Sequence, residues 1–272
     1  MSLTIGTGPF GQQPGGVVNA EPRSGRFLFF EDSPRRVRAT FGGETIVDSR
    51  RAKLLHEGTH LPVYYFPEED VRMDLLEPTD HSTHCPYKGD ASYLSLRVGD
   101  ETAENVAWTY REPLDGAPPL AGYLALYWDK LDAWFEEDEE VFGHARDPYH
   151  RIDAVPTTRQ IRVGVGGEVV ADSDRAIALF EAGLPTRWYL PRVDVREDLL
   201  VPSDTRTRCA YKGLASYYSV RVGDEVREDL VWYYPEPTRE AEPIRDLLCF
   251  YNEKVDVEVD GEPEERPETL WS

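Results

Sequence analysis

Residues 83–93 read THCPYKGDASY, and residues 207–217 read TRCAYKGLASY. The two cysteines of these stretches, Cys85 and Cys209, are 124 residues apart (209 − 85). The same offset aligns residues 38–132 with residues 162–256 without an insertion, and nearly half of the aligned positions are identical. The chain is therefore predicted to contain two tandem copies of one domain, which is fewer than the roughly three repeats that a solenoid needs.

The composition agrees with two domains, since domains run to about 100–200 residues and the chain has 272 residues. We place copy one at residues 24–141 and copy two at residues 148–272, with the boundary in residues 136–151. An acidic run at 136–140 is most simply a solvated exit from copy one. The stretch before Ser24 is rich in Gly and Pro and is expected to be extended or mobile.

The hydrophobic patterns predict a mainly β fold with short helices. Val37–Phe41 alternates at period two, and Gly42-Gly43 is a hairpin turn signal. Asp48 or Ser49 suits the N-cap of a short helix that continues through Glu57. Further strands are predicted at residues 63–66, 71–76, 92–98 and 106–110, and around Val255, Val257 and Val259.

The charge and cysteine content exclude several classes of protein. The formal net charge is −21, from 51 acidic and 30 basic residues, so nucleic acid and anionic membranes are not expected partners. No run of about 18 apolar residues marks a membrane span, and no signal peptide pattern is present. Three cysteines without a CxxC motif argue against a disulfide framework and suit a reducing cytoplasm.

The repeated Cys-x-Tyr-Lys-Gly stretch is the first candidate site. It would present a thiol, a phenol and an ammonium on one loop before a strand. Lys88 could lower the pKa of the Cys85 thiol or bind an anionic ligand. In the alternative interpretation, the cysteine is a small buried hydrophobe and the other side chains only shape the turn.

The second candidate feature is the strand Trp108-Thr109-Tyr110, repeated as Trp232-Tyr233-Tyr234. Alternation places the tryptophan and the second tyrosine on one face. They could wall a pocket for a flat or cationic ligand, or form part of an aromatic core. The candidate ligand-binding residues are Cys85, Tyr87, Lys88, Tyr93, Trp108 and Tyr110 in copy one, and Cys209, Tyr211, Lys212, Tyr217, Trp232 and Tyr234 in copy two.

Two further patterns contain potential ligands or acids. On a strand, Asp70, Arg72 and Asp74 would share one face, where an ion-pair ladder is a simpler account than an acid–base pair of carboxylates. His81, His84 and Cys85 resemble a metal cluster, but copy two has no histidine at either position. We therefore predict no metal and no cofactor.

Several of these motifs together resemble the bacterial family known as domain of unknown function 427. They are the Cys-x-Tyr-Lys-Gly-x-Ala-Ser-Tyr stretch, the Val-Gly-Asp-Glu turn, the Trp-x-Tyr-x-Glu-Pro strand, and Tyr127 with Lys130-x-Asp132, which copy two repeats as Tyr251 and Lys254-x-Asp256. The resemblance implies a small fold similar to the Mss4-like or β-tent group. It implies no reaction, and the paired CxxC motifs that bind zinc in that group are absent from this sequence.

The favoured functional hypothesis is a small-molecule-binding module with one aromatic, lysine-lined pocket per copy. The alternatives are an enzyme that uses Cys85 or Cys209, and a structural or interaction protein. We further expect the two copies to pack as a pseudo-two-fold pair. Since copy two has Arg208 where copy one has His84, an anionic ligand is expected to prefer copy two, near Arg208 and Lys212.

Overall fold

The computed structural model describes residues 28–58 and 60–269. The chain divides into two compact units, residues 1–149 and residues 150–272. The Gly/Pro-rich stretch before Ser24 lies outside the described residues, as do residues 24–27 and 270–272 of the predicted copies.

The first unit contains a seven-stranded and a four-stranded antiparallel sheet. The order is β1-β4-β5-β9-β8-β7-β6 in the large sheet and β11-β10-β2-β3 in the small one. The strands are β1 (Leu28–Asp32), β2 (Val37–Phe41), β3 (Glu44–Ser49), β4 (Lys53–Glu57), β5 (Val63–Pro67), β6 (Leu76–Cys85), β7 (Gly89–Val98), β8 (Glu101–Thr109), β9 (Tyr123–Leu126), β10 (Ala133–Glu136) and β11 (Glu139–Val141).

The second unit repeats this architecture. Its large sheet has the order β12-β15-β16-β20-β19-β18-β17, and its small sheet has the order β14-β13-β21-β22. The strands are β12 (Ile152–Pro156), β13 (Ile161–Val165), β14 (Glu168–Ser173), β15 (Ile177–Glu181), β16 (Arg187–Leu190), β17 (Leu200–Cys209), β18 (Gly213–Val222), β19 (Glu225–Tyr233), β20 (Leu248–Phe250), β21 (Asp256–Val259) and β22 (Glu262–Pro263).

The helical segments are short 3-10 turns, so the predicted mainly β fold with short helices is confirmed. They lie at Glu68–Asp70, Met73–Leu75, Trp128–Lys130, Arg192–Asp194, Glu197–Leu199 and Arg239–Ile244. The predicted hairpin at Gly42-Gly43 is also confirmed, since both glycines have positive φ, +57° and +79°. Positive φ at both central residues matches the right-handed twist of the flanking strands.

The inner strands of each large sheet are buried on both faces. In copy one, Leu54, Tyr64 and Leu94 pack with residues of the small sheet in one apolar cluster. Their chain neighbours Leu55 and Tyr65 point the other way and belong to a second cluster on the outer face of the large sheet. Copy two has the same two clusters. The outer cluster is the one that contains the candidate site.

The predicted helix through Glu57 is wrong, because Lys53–Glu57 forms strand β4. Leu54 and Leu55 are both buried, one on each face of the sheet, so the alternation that marks a half-exposed strand is missing. Ser49 does not cap a helix. Its hydroxyl donates to Asp70 at 2.6 Å and accepts from the Arg51 amide at 3.0 Å.

The predicted strand at residues 71–76 is wrong as well. Val71 makes an isolated bridge to Val47, residues 73–75 form a 3-10 turn, and only Leu76 belongs to a strand, as the first residue of β6. Arg72 holds Asp74 with two hydrogen bonds of 2.8 and 2.7 Å. Asp70 instead pairs with Arg51 at 2.5 Å. The predicted ladder of Asp70, Arg72 and Asp74 on one strand face therefore does not form.

The acidic run forms a β-hairpin rather than an exit from copy one, and Glu137, Asp138 and Glu140 are exposed as predicted but Glu136 is not. Glu136 ends β10 and is 4% exposed, and Glu139 begins β11 after a turn at Glu137, whose φ is +54°. The Glu136 carboxylate accepts a 2.8 Å hydrogen bond from the Tyr64 hydroxyl and pairs with Arg35. These partners explain why an acidic side chain is buried here, since a buried charge needs a partner.

Candidate functional site

The repeated stretch folds as a β-hairpin rather than as a loop before a strand. Cys85, the last residue of β6, pairs with Gly89, the first residue of β7. The turn between them consists of Pro86, Tyr87 and Lys88. The predicted strand at residues 92–98 therefore begins three residues earlier, and the cysteine is held by the sheet on the strand side of the turn.

Gly89 lets a neighbouring loop approach this turn closely. Its φ is +103°, and a Cβ there would lie 3.2 Å from the backbone oxygen of Glu112. The Leu114 amide donates to the Lys88 carbonyl at 3.1 Å. Glycine is therefore required for backbone conformation and for space, and the loop fixes the turn that presents Lys88.

Lys88 is buried in an ion pair. Its ammonium donates to the Glu57 carboxylate at 2.5 Å, and the two side chains are only 9% and 12% exposed. The same nitrogen lies 5.5 Å from the centre of the Tyr110 ring. Since the lysine already has a carboxylate partner, the pair contributes no net charge to the site.

Four aromatic rings, those of Tyr65, Trp108, Tyr110 and Tyr127, form a wall on the outer face of the large sheet. The Trp108 indole donates to the Tyr65 hydroxyl at 3.2 Å, and its ring centre lies 4.6 Å from that of Tyr127. Burial raises the pKa of Tyr65 and of Tyr110 well above the usual range, so both phenols stay neutral at ordinary pH. The wall is therefore uncharged and can stack against a ligand.

A cavity of about 740 Å³ opens against this wall in copy one. Four of the six predicted residues of copy one line it: Cys85, Lys88, Trp108 and Tyr110. His84, considered from the sequence only as a possible metal ligand, also lines it, and sequence reasoning missed the other lining residues, which are Leu55, Glu57, His60, Leu61, Val63, Tyr65 and Pro86. Glu57 and Tyr65 recur in copy two as Glu181 and Tyr189, which is the signal that could have identified them.

The other two predicted residues of copy one lie outside the lining. Tyr93 is 7% exposed, and its hydroxyl lies 3.0 Å from that of Thr83, with the His81 ring 4.5 Å away. Tyr87 is 44% exposed on the turn.

His84 pairs with Asp90 at 2.6 Å. Among residues 28–58 and 60–269, no three His, Cys, Asp or Glu side chains are grouped so that they could hold a metal ion.

Copy two has the same ion pair with an additional partner. The Lys212 ammonium donates to Glu181 at 2.5 Å, and His150 Nε2 lies 3.1 Å from the other carboxylate oxygen. Burial by itself would raise the pKa of Glu181, but Lys212 and His150 outweigh it and lower that pKa to about 2. The copy-one position equivalent to His150 is Arg26, which lies outside the described residues.

Two of the six predicted residues, the tryptophan and the first tyrosine, are more deeply buried in copy two than in copy one, and the other four are buried to a similar degree. Trp232 and Tyr211 are 7% and 5% exposed, and Tyr211 packs against the His150 ring at 4.0 Å. Arg187, which replaces Val63, is 4% exposed and lies 5.5 Å from the centre of the Trp232 ring. Tyr217 and Tyr234 belong to the same apolar cluster, which Cys209 contacts. In copy two, the chain's own side chains therefore cover the aromatic wall.

Comparison with known proteins assigns both copies to one family. A search of the curated proteins gives no significant match. In the described part of the chain, no helix is of the length and apolar character needed to cross a membrane. The family model described as domain of unknown function (DUF427) matches twice, at residues 29–137 and 153–261. The two matches cover most of the chain and coincide with the two repeated folds, and the chain therefore belongs to the DUF427 family.

Proposed function

We propose that the protein is a small-molecule-binding module whose ligand occupies the cavity of copy one. The observation that carries this proposal is the lining, which combines an aromatic wall with the buried Lys88–Glu57 pair in about 740 Å³. Ligand pockets usually measure about 300–1,000 Å³ and are mostly apolar, with a few polar groups that orient the ligand. The cavity has this size and this composition.

The ion pair supports the proposal because it is costly for folding alone. Removing two charges from water costs several kcal/mol per ion, and a buried pair is often no better for stability than apolar residues of the same volume. A buried pair at the edge of a cavity, however, offers a hydrogen-bond donor and an acceptor to a ligand. Because the pair lies beside the aromatic wall, one ligand could stack on Trp108 and hydrogen-bond to the ion pair at the same time.

A matched pair of variants tests the proposal. A screen of small aromatic fragments by thermal shift should find molecules that stabilise the chain, by about 2.7 kcal/mol at 100 times their dissociation constant. Trp108→Leu should abolish that stabilisation, because Trp108 lines the cavity. Trp232→Leu, at the equivalent but covered position, should leave it unchanged. Equal effects of the two substitutions, or no stabilising fragment, would contradict the proposal.

An enzyme that uses Cys85 is the second candidate, because the thiol also lines the cavity. Cys85 is half-buried, whereas Cys249 is fully buried and its pKa is raised by that burial. A nucleophilic Cys85 would react rapidly with iodoacetamide below neutral pH, and a bound fragment would protect it. Labelling as slow as that of Cys249 would remove this candidate.

A further inference from the structure

Each copy has an aromatic wall of the same geometry, but different groups lie against the two walls. The ring centres of Trp108 and Tyr65 are 6.3 Å apart in copy one. Those of the equivalent pair, Trp232 and Tyr189, are also 6.3 Å apart in copy two. Each tryptophan contacts a second tyrosine at nearly the same distance between ring centres, 4.6 Å to Tyr127 in copy one and 4.5 Å to Tyr251 in copy two. The walls are therefore matched in geometry, and a comparison of their surroundings is informative.

In copy two, a cation from the chain itself occupies the wall. The Arg187 guanidinium lies over Trp232 and makes two hydrogen bonds with Glu253, of 2.8 and 2.6 Å. The Arg187 and Glu253 side chains are 5% and 0% exposed. A guanidinium over an indole face gains a cation–π attraction, which is largest when the pair is shielded from water.

Among the described residues of copy one, the equivalent place belongs to the cavity. Val63 stands where copy two has Arg187, and both Val63 and Trp108 line the cavity. The volume that the guanidinium fills in copy two therefore corresponds to volume inside the cavity of copy one. Asp129, which is exposed, occupies the position of Glu253 and supplies an acidic group on the same segment. Lys88 does not oppose a cation strongly, since Glu57 neutralises it.

We propose that the cavity of copy one takes a ligand with a planar cationic group, an amidinium or guanidinium, stacked on Trp108 as Arg187 is stacked on Trp232. This inference rests on the proposed function and adds the chemical class of the ligand. Copy two thus contains, as its own side chain, the group that copy one receives from outside.

Benzamidine and benzamide provide a direct test, because they have nearly the same shape and differ in charge. We expect titration calorimetry on the full chain at about 0.15 M salt, where exposed charges are screened, to give one benzamidine per chain. Benzamidine should bind about 5- to 30-fold more tightly than benzamide, the range expected for a shielded cation–π contact. Val63→Arg, which supplies an internal guanidinium, should abolish benzamidine binding.

Val193→Arg is the control, since Val193 is 80% exposed and the substitution adds the same charge outside the cavity. Benzamidine should still bind the Val193→Arg variant. If Val63→Arg and Val193→Arg both abolished binding, the probe would be attracted only by the net charge of −21, and the inference would be overturned. Equal or tighter binding of benzamide would overturn the cationic class and leave the proposed function standing. Absence of benzamidine binding would also overturn it, while the fragment screen decides the proposed function independently. The comparison of the two probes uses the unmodified chain and needs no variant to fold.

Discussion

Glu181 connects the stability of copy two to pH. Its carboxylate has a pKa near 2 in the folded chain, against an ordinary value of 4.5. Since folding lowers the pKa of Glu181, its ionised carboxylate stabilises the folded state fully above pH 4.5, and this stabilisation is lost as the pH falls towards 2.

Glu181→Gln should therefore destabilise the chain strongly at pH 7, because it leaves Lys212 buried without its carboxylate; such losses are about 3–5 kcal/mol. The difference in unfolding free energy between the variant and the natural chain should shrink as the pH falls from 5 to 3. Urea unfolding at pH 7, 5 and 3 measures it. Glu101→Gln, at the exposed first residue of β8, serves as the control. A gap that stays constant across this range would show that Glu181 is not held in its charged form.

At the scale of elements, the β6–β7 hairpin depends on Gly89. Gly89→Ala should destabilise the chain by about 1–3 kcal/mol, because alanine is strained at positive φ and its Cβ would press on the Glu112 carbonyl. Gly43→Ala is the matched control, since Gly43 also has positive φ but has open space around it. Chemical denaturation should show a larger loss for Gly89→Ala. Equal losses would mean that the close approach of the loop contributes nothing.

The sequence predicts the elements well where one face of a strand is exposed. Strand β2 follows the alternation of apolar residues and is followed by its glycine turn, and the structure confirms both. Strand β4 escapes prediction because both of its leucines are buried, one on each face. The acidic hairpin of β10 and β11 escapes because the partners of Glu136, Tyr64 and Arg35, are distant in sequence.

The candidate site is predicted in part for the same reason. Cys85 and Lys88 stand in one conspicuous stretch, and Trp108 follows in a repeated strand. Glu57 and Val63 enter the site only because β4 and β5 bring them to it. No local pattern marks either residue. The difference between Val63 and Arg187 becomes meaningful only when the geometry of both copies is known.

In the whole molecule, Arg187 sets the number of binding sites in one chain. Arg187→Ala should uncover the wall of copy two and leave Glu253 buried without its cation, at a cost of about 3–5 kcal/mol. Benzamidine should bind there, restore part of the lost stability and raise the stoichiometry from one to two. Calorimetry and thermal unfolding with and without benzamidine measure both effects. A stoichiometry that stays at one, without any recovery of stability, would contradict the equivalence of the two walls.

The predicted pseudo-two-fold packing of the copies stays a prediction, and so does the preference of an anionic ligand for copy two. The buried partners of Lys212 weaken the physical basis of that preference, because its ammonium is already held by Glu181. A comparison of benzoate with benzamidine on the same chain would measure the preference directly.

The edges of the large sheets have a consequence for self-association. Among the described strands, β6 and β17 each end a sheet, and each is ten residues long with at least half of its residues exposed. A long, regular edge can recruit another chain and start aggregation. Here a proline stands third in each strand, at Pro78 and Pro202, and the register shifts directly after it in β6 and one residue later in β17. The prolines and the register shifts interrupt the edge strands, and the net charge of −21 makes the chains repel one another. We therefore expect the chain not to aggregate at high concentration, although most of its regular structure is β-strand.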